Sequence, residues 1–587
     1  MAATVSGQPD LIVVGAGAGG MTAALVAALE GLKVVLLEAS DQVGGTTATS
    51  AGTLWVPGNL HGQHAGHSDS LPQAVQYLNA VIGHDDDRQC RDAFFETAPL
   101  ALDYLERRTQ VKFTSAGRHP DYLTQPGAAI SGRAVAPLPF DGRMLGSDFS
   151  RVRPPLATFM LLGGMMVGKA DIQALIRRWK CWPDFLHSAS LVARYAADRL
   201  RYPRGTRLVM GNALVARLFI SLREVGVDIR FGCRLRSLDM QLGRASGVYF
   251  SDGEGQLQRL SATRGVVLAT GGVGHDAALR RELIPEGDLI RSLVADDIRG
   301  DGLRAARIVG AALERHDTPG NLFWQPVSQV PALLGGGLFA HLFLDRAKPG
   351  LIAVNELGQR FTDESASYHH FVESMLRATG TPPRKRVWLV CDGAFVQRYG
   401  LGIIAPGTRS LDRWDKQGYI ACEASLTQLA RRLGIDADGL AVTVARMNDF
   451  AATGRDLDFG KGDTEVGRFN GDSTRGLNPC LGVIATTPFC ALEIHPADAA
   501  SSAGLATDGN GRVLSASSEP IAGLYACGND AASIMRGSYP GPGTTLGPAI
   551  VFGYRVGRHA ASGGVPADEA PQNHAAQFTR PLGQRAG

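Results

Sequence analysis

Short runs of consecutive apolar residues, each ending in a glycine-rich or polar turn, recur along the chain and predict buried parallel strands. The first is 10–14 (DLIVV), followed by Gly15-Ala16-Gly17-Ala18-Gly19-Gly20, a helix-like stretch over 21–29 and a second run, 33–37, that ends at Glu38. Two more lie far downstream. Residues 265–268 end in Ala269-Thr270-Gly271-Gly272, and 523–527 (GLYAC) end in the polar turn Gly528-Asn529-Asp530. A different pattern stands near the C-terminus, where 537–553 (GSYPGPGTTLGPAIVFG) locks a tyrosine between prolines and glycines ahead of an apolar, helix-like run. Strands alternating with helix-like stretches predict an α/β fold, with one sheet assembled from remote parts of the chain.

The first turn carries a nucleotide-binding pattern. Gly15 permits the tight turn, Gly17 and Ala18 let the backbone approach a pyrophosphate at the helix N-terminus, and Gly20 lets the helix pack on the strand. Glu38, eighteen residues past Gly20 and followed by Ala39, is placed to hold ribose hydroxyls. A chance glycine cluster is the plainer reading, but strand, helix, second strand and acidic end occur here in order. Gly44, Gly45, Thr46 and Thr47, then Ser50, Ala51, Gly52 and Thr53, supply small residues and hydroxyls that can line a diphosphate and a ring edge. A long buried flavin needs such a lining, so FAD is favoured over NAD. Ala269, Thr270 and Gly271 read as the chain returning to the nucleotide sheet, and Gly528 and Asn529 as a turn that meets the same cofactor.

In the C-terminal motif, Tyr539 offers an O–H donor and Gly543 a backbone N–H without side-chain cover, at the start of a helix whose dipole favours developing negative charge. Such a pair suits a carbonyl oxygen. Thr544, Thr545 and Leu546 open the same helix and are assigned to the cofactor. The bland alternative is a glycine-rich turn before a buried helix.

The N-terminal fingerprint, the ATGG turn at 269–272 and GLYACGN at 523–529 resemble the flavoprotein superfamily that includes fumarate reductase and 3-ketosteroid dehydrogenases. SYPGPGTTLGPAIVFGYRVGR at 538–558 resembles the 3-ketosteroid Δ1-dehydrogenases, the cholestenone type among them. The resemblance covers most of the chain and is weakest over 151–207. It implies FAD as cofactor, a 3-ketosteroid substrate of steroid degradation, and a quinone or artificial dye as electron acceptor. It implies that Tyr539 and Gly543 hold the C3 carbonyl, and that Tyr368, in RFTDESASY at 360–368, takes the C2 proton while the C1 hydrogen leaves as hydride to flavin N5. Tyr122, in Pro120-Asp121-Tyr122, is the matching assistant to that base. The FAD is expected to be non-covalent, because no attachment histidine stands in 44–52.

The chemistry calls for such a set in its own right. Removing hydrogens from two adjacent saturated carbons requires a polarised ketone, which two donors supply. A tyrosine with a pKa of about 10 is a poor base at neutral pH, so Tyr368 needs a hydrogen bond such as one from Tyr122. Any one of these tyrosines taken alone reads as a half-buried aromatic with its hydroxyl satisfied. The alternatives are a fumarate reductase-like enzyme, a Δ4-(5α)-ketosteroid dehydrogenase and a non-catalytic flavin electron-transfer protein. Dicarboxylate enzymes of the superfamily resemble one another in an Arg before the Leu-Gly of the C-terminal motif, where this chain has Thr545, and His495-Pro496 reads as structural. An electron-transfer protein would need no tyrosine set.

A chain of 587 residues predicts more than one domain. Its cofactor domain is expected to be discontinuous, 1–290 and 489–587, Rossmann-like, with an inserted α+β catalytic domain over 291–488. Tyr368 then faces Tyr539 and Gly543 across a cleft between domains. Eight cysteines without CxxC or metal-ligand spacing read as reduced thiols, and no metal site is expected. Residues 1–9 lack a hydrophobic region and no run reaches about twenty apolar residues, which points to a cytoplasmic protein. The tail, 567–587, is expected to be poorly ordered.

Net charge is only +3 and no recognisable module occurs, so nucleic acid is not an expected partner. One segment departs from this balance. Residues 151–208 carry eleven Lys or Arg against three Asp, a net of +8. After an apolar start at 156–168, Arg177, Arg178, Lys180 and Arg194 mix with Trp179, Trp182, Phe185 and Tyr195. That pattern suits peripheral contact with an anionic membrane surface on the inner face of the cell membrane. A helical cover with solvated arginines is the alternative.

Overall fold

In the computed structural model, which describes residues 7–83, 89–284, 287–317, 319–343, 345–380 and 385–563, two sheets organise the chain. The tail at 567–587 lies outside the described residues. Leu11–Val14 and Val34–Leu37 are apolar on both faces because both faces are covered, and they pair in parallel inside a six-stranded sheet. Its order is Asp228–Arg230, Val34–Leu37, Leu11–Val14, Gly265–Leu268, Pro520–Ala526 and Arg512–Leu514. Leu11 stands opposite both Val34 and Gly265, and Val266 opposite Leu524, so the remote runs at 265–268 and 523–527 do return to the first strand's side. Only the last pairing is antiparallel. Helix Ala18–Leu29 rises from the glycine turn and packs along the C-terminal helix Leu546–Ala561.

The second sheet is built mainly from the insert, and its centre is the strand Phe489–Ser501. Leu322–Gln329 and Val387–Asp392 flank it antiparallel, with Gln325 opposite Ala497 and Trp388 opposite Glu493. Residues from 489 onward therefore pair with the insert's strands, whereas the sequence places the return to the cofactor domain there. The reason is length. At roughly 3.3 Å per residue, a strand of 13 residues reaches from one sheet to the other. Its end meets the cofactor side, where Ser501 Oγ donates to the Asn529 carbonyl at 3.2 Å and Ser502 Oγ accepts from the Gly537 N–H at 2.9 Å.

The basic segment folds as a hairpin, Met160–Leu161 with Met165–Met166, and two helices, Lys169–Arg177 and Trp182–Arg199. It has a small core of its own, Met165, Val167 and Leu191 with Leu175 and Tyr195. Asp171 ties it down, pairing with Arg207 and His187 at 2.9 Å each. Among the described residues no helix is long and apolar enough to cross a membrane. All eight cysteines are free thiols.

Candidate active site

The RFTDES run is a placement device for the residue that follows it. Arg360 bridges Glu364 and Asp456, at 2.8 Å to each, and all three side chains are buried. Arg346, wholly buried, donates to the carbonyls of His341 and Glu364 at 2.8 Å each, which joins this turn to the loop bearing Phe343. Ser367 then caps the helix Tyr368–Thr379, its Oγ accepting from the His370 N–H at 3.3 Å. Tyr368 is the first helical residue, and the helix packs against the strand Leu322–Gln329.

Tyr122, Tyr368 and Tyr539, from three remote parts of the sequence, meet here with their rings in mutual contact. Ring centroids are 5.6 Å apart for Tyr122 and Tyr368, 5.3 Å for Tyr368 and Tyr539, and 5.9 Å for the stacked pair Tyr122 and Tyr539. Phe323 meets the edge of Tyr539 and Phe343 touches both Tyr122 and Tyr368. The three tyrosines are at most 8% exposed. Burial is the main reason that all three phenols titrate above their ordinary value, and the neighbouring phenols add to it.

Tyr122 Oη donates to Tyr368 Oη at 3.5 Å, a long contact. Its sense decides which phenol ionises more easily. With Tyr122 as donor, the Tyr368 phenolate is favoured; with the proton reversed, Tyr122 is eased and Tyr368 held up. The hydroxyl geometry supports the first sense, and a hydrogen bond with Tyr539 also lowers Tyr368 while raising Tyr539. Burial keeps Tyr539 protonated, and Tyr368 lies within hydrogen-bonding reach of both other phenols.

Gly543 is held at φ +89°, and a Cβ there would lie 2.4 Å from the Thr53 carbonyl oxygen. Its own carbonyl accepts from the Trp55 N–H at 3.2 Å and the Gly547 N–H at 3.0 Å. Its N–H has no hydrogen-bond partner among the described residues. Only glycine fits that turn without strain, and the amide is left available to a ligand oxygen.

The residues of the N-terminal fingerprint lie together around the first strand's end. Gly15, Gly17, Ala18 and Gly20 form the turn into helix Ala18–Leu29, with Thr47 Oγ1 accepting from the Ala18 N–H at 3.2 Å. Glu38 is buried, its carboxylate accepting from the Ala16 N–H at 2.8 Å and the Ser40 N–H at 2.9 Å. Burial pushes its pKa up despite these bonds. Ala39 follows on the strand's end. Gly44 and Gly45 open the short helix Gly45–Ala48, and Thr46 Oγ1 accepts from the Ala295 N–H at 3.2 Å. Ser50 is turned inward on its own loop, donating to the Thr47 carbonyl at 2.8 Å and accepting from the Gly52 N–H at 3.1 Å, while Ala51 is exposed. Thr53 backs Gly543.

A small open cleft lies further along, lined by Phe323, Gly528, Asn529, Thr544, Thr545 and Pro548 among others. Leu546, at the adjoining helix start, is buried. Ala269, Thr270 and Gly271 reach the same region, but the Thr270 side chain is occupied. Asp530 accepts from the Thr270 N–H at 2.5 Å, the Thr270 hydroxyl at 2.9 Å and the Gly272 N–H at 2.8 Å. Burial lifts the Asp530 pKa to about 6. Asp530 is not among the site residues that the sequence predicts. Its signal was a carboxylate in a polar turn at a strand end, and its function is to tie two turns that are remote in sequence.

A helix N-terminus with open backbone, a buried carboxylate at the end of the second strand and a hydroxyl-lined cleft whose wall includes Phe323, itself against Tyr539, together fit FAD. This is the site of a flavoprotein with a discontinuous Rossmann-like domain. Residues 10–546 match the family model described as FAD binding domain, and the chain belongs to that family. It is an FAD-dependent oxidoreductase.

The 3-oxosteroid 1-dehydrogenase of Mycolicibacterium smegmatis is 35% identical over 560 residues, covering 93% of this chain and 96% of that one. The 4-oxocyclohex-2-ene-1-carboxylate 5-dehydrogenase of Sinomonas cyclohexanicum is 35% identical over 562 residues, 94% of this chain and 93% of its own. Among solved structures, the 3-ketosteroid delta1-dehydrogenase from Sterolibacterium denitrificans, in complex with 1,4-androstadiene-3,17-dione, superposes with a TM-score of 0.86 at 33% identity, covering 94% of this chain and 99% of that one.

Proposed function

We propose that this flavoenzyme dehydrogenates 3-ketosteroids at C1 and C2, converting a 3-oxo-Δ4-steroid to the 3-oxo-Δ1,4-steroid. The observation that carries the reading is the contact of Tyr122, Tyr368 and Tyr539, with the Gly543 amide four residues past Tyr539 and without a partner among the described residues. The Tyr539 hydroxyl and the Gly543 N–H donate to the C3 oxygen, where negative charge develops as the neighbouring C–H is weakened. Tyr368 removes the C2 proton, with the Tyr122 hydroxyl supporting the phenolate. Bound FAD supplies the acceptor for the C1 hydride, and a quinone or dye then takes the electrons. The aromatic wall of Phe323 and Phe343 excludes water from a step that water would quench.

The site reads a ketone and two adjacent C–H bonds, and the relatives of equal identity include an enzyme named for a monocyclic oxo acid. A substrate panel with anaerobic flavin bleaching separates the two. Androst-4-ene-3,17-dione and cholest-4-en-3-one are expected to bleach the flavin and yield the Δ1,4 products. Bleaching by 4-oxocyclohex-2-ene-1-carboxylate with none by either steroid would replace the steroid reading.

We further infer that the basic segment rests on an anionic membrane surface. Met165, Met166 and Val167 are buried, so the apolar run at 156–167 offers only part of its length. What stands out is Leu162 at 66% exposure, Trp179 at 77% and Trp182 at 70%, with Trp182 stacked on Phe185. Arg178 lies over the Trp179 ring, Arg177 pairs with Asp184 at 3.0 Å and Lys180 follows Trp179 in the chain; a basic side chain contributes on the order of 1 kcal/mol near anionic lipid. The protein is expected to co-sediment with phosphatidylserine-containing liposomes at low salt and to be released at high salt. Changing Arg177, Arg178 and Lys180 to Glu should abolish this; equal sedimentation of the two proteins, or none with either, would leave the segment as a cover packed on the enzyme.

A further inference from the structure

Asp121, the neighbour of Tyr122, is buried and accepts three hydrogen bonds. Its Oδ1 receives the Trp55 indole N–H at 2.9 Å, and its Oδ2 receives Arg133 Nη1 at 2.5 Å and the Ala129 N–H at 3.0 Å. Arg133, 2% exposed, is itself held by Asp69 at 2.9 Å and by the Gly127 carbonyl at 2.7 Å. A buried ion pair is weak grounds for stability, because desolvation opposes the attraction. What this one touches is more telling.

Three of the segments that meet Asp121 bear or hold a group of the candidate site; the fourth, bearing Ala129 and Arg133, anchors it. Its own chain continues into Tyr122, whose N–H donates to the Pro540 carbonyl at 2.7 Å, directly beside Tyr539. The Trp55 indole that Asp121 fixes belongs to the residue whose backbone N–H holds the Gly543 carbonyl at 3.2 Å. Between them, a Cβ added to Gly541 would fall 2.8 Å from the Trp55 ring and 2.9 Å from Asp121 Oδ1, so that backbone rests directly on the pair. One carboxylate thus sets the spacing between the base side of the site and the carbonyl-holding side.

We propose that Asp121 is a positioning residue that holds Tyr122 and the Tyr539–Gly543 loop in register through Trp55 and Arg133. The roles of Tyr122 and Gly543 rest on the functional reading above; the mechanical link does not. Two variants test it. Asp121→Asn removes the charge and turns donors toward Arg133, and Trp55→Phe removes the indole hydrogen bond to Asp121, with part of a buried ring, while leaving the ion pair.

In hydrogen–deuterium exchange of the FAD-loaded protein, peptides spanning 118–124 and 537–545 should exchange faster together in both variants, with the 10–20 peptide unchanged. In steady state with androst-4-ene-3,17-dione and a dye acceptor, kcat per bound flavin should fall at least tenfold in Asp121→Asn and three- to tenfold in Trp55→Phe, with KM moving less than threefold. A residue that merely supports folding would lower flavin content and leave kcat per flavin alone. Unchanged exchange at 537–545, or turnover per flavin within twofold of wild type in a folded variant, would overturn the proposal. So would loss of flavin in step with activity in both variants, which would make the cluster a folding element. If the wild type fails to oxidise the steroid, the functional reading falls, while the exchange result still decides the role of Asp121.

Discussion

Replacing Tyr368 by Phe should lower kcat by ~10²–10⁴-fold, the range lost with a general base, while steroid affinity stays within a few fold. The ring contacts with Tyr122, Tyr539 and Phe343 survive in phenylalanine, so the pocket keeps its shape and loses only the proton acceptor. A group that acts in the transition state more than in binding shows itself as a fall in kcat without a matching rise in KM. The pH profile supplies an independent check on the same residue. Burial holds the Tyr368 pKa well above the ordinary phenol value, so at neutral pH the phenolate is the minor form and its fraction grows as pH rises. Wild-type kcat/KM should therefore climb from pH 6 to pH 9, and Tyr368→Phe should flatten that slope. A variant with near-normal turnover and an unchanged profile would place the base elsewhere.

Tyr539→Phe should cost both affinity and rate, with kcat/KM falling ~10²–10³-fold as expected for loss of one donor at a developing oxyanion. Unlike the base, this donor meets the ketone in the ground state as well as in the transition state, so KM rises along with the fall in kcat. Its burial beside Tyr368 favours the protonated form, so the donor is in place at neutral pH. The remaining donor, the Gly543 amide, is fixed by backbone geometry and cannot move to compensate. Steady-state kinetics and spectral titration with a 3-ketosteroid distinguish the two tyrosines: Tyr539→Phe weakens binding where Tyr368→Phe does not. Equal effects of both variants on binding and turnover would mean that the carbonyl is held some other way.

The local parts of this enzyme were legible in the chain because each depends on residues close together in sequence. An apolar strand, a turn that only glycine tolerates and a helix start form one continuous piece of backbone, and the structure builds the Gly15–Gly20 turn and Glu38 in that form. The same holds for Gly543, whose φ of +89° is a local demand.

The return of 265–268 and 523–527 to the first strand's sheet was legible, but the partners of the strand at 489 were not. The strand at 489 carries an apolar pattern that suits either sheet, and only its partners at 322–329 and 387–392 decide that it centres the insert's sheet. Asp530 and Asp121 each stand in a polar turn, where a carboxylate is ordinarily solvated. Their burial, and the remote N–H groups that make it tolerable, exist only after Thr270 and Gly272, or Trp55 and Arg133, have been brought to them. The sequence by itself determined the cofactor-binding turns and the residue types of the site, because backbone geometry and side-chain chemistry are local. Only the tertiary structure decided how closely the tyrosines meet and which carboxylates bridge separate turns, because those are set by distances between atoms that lie from a dozen to several hundred residues apart.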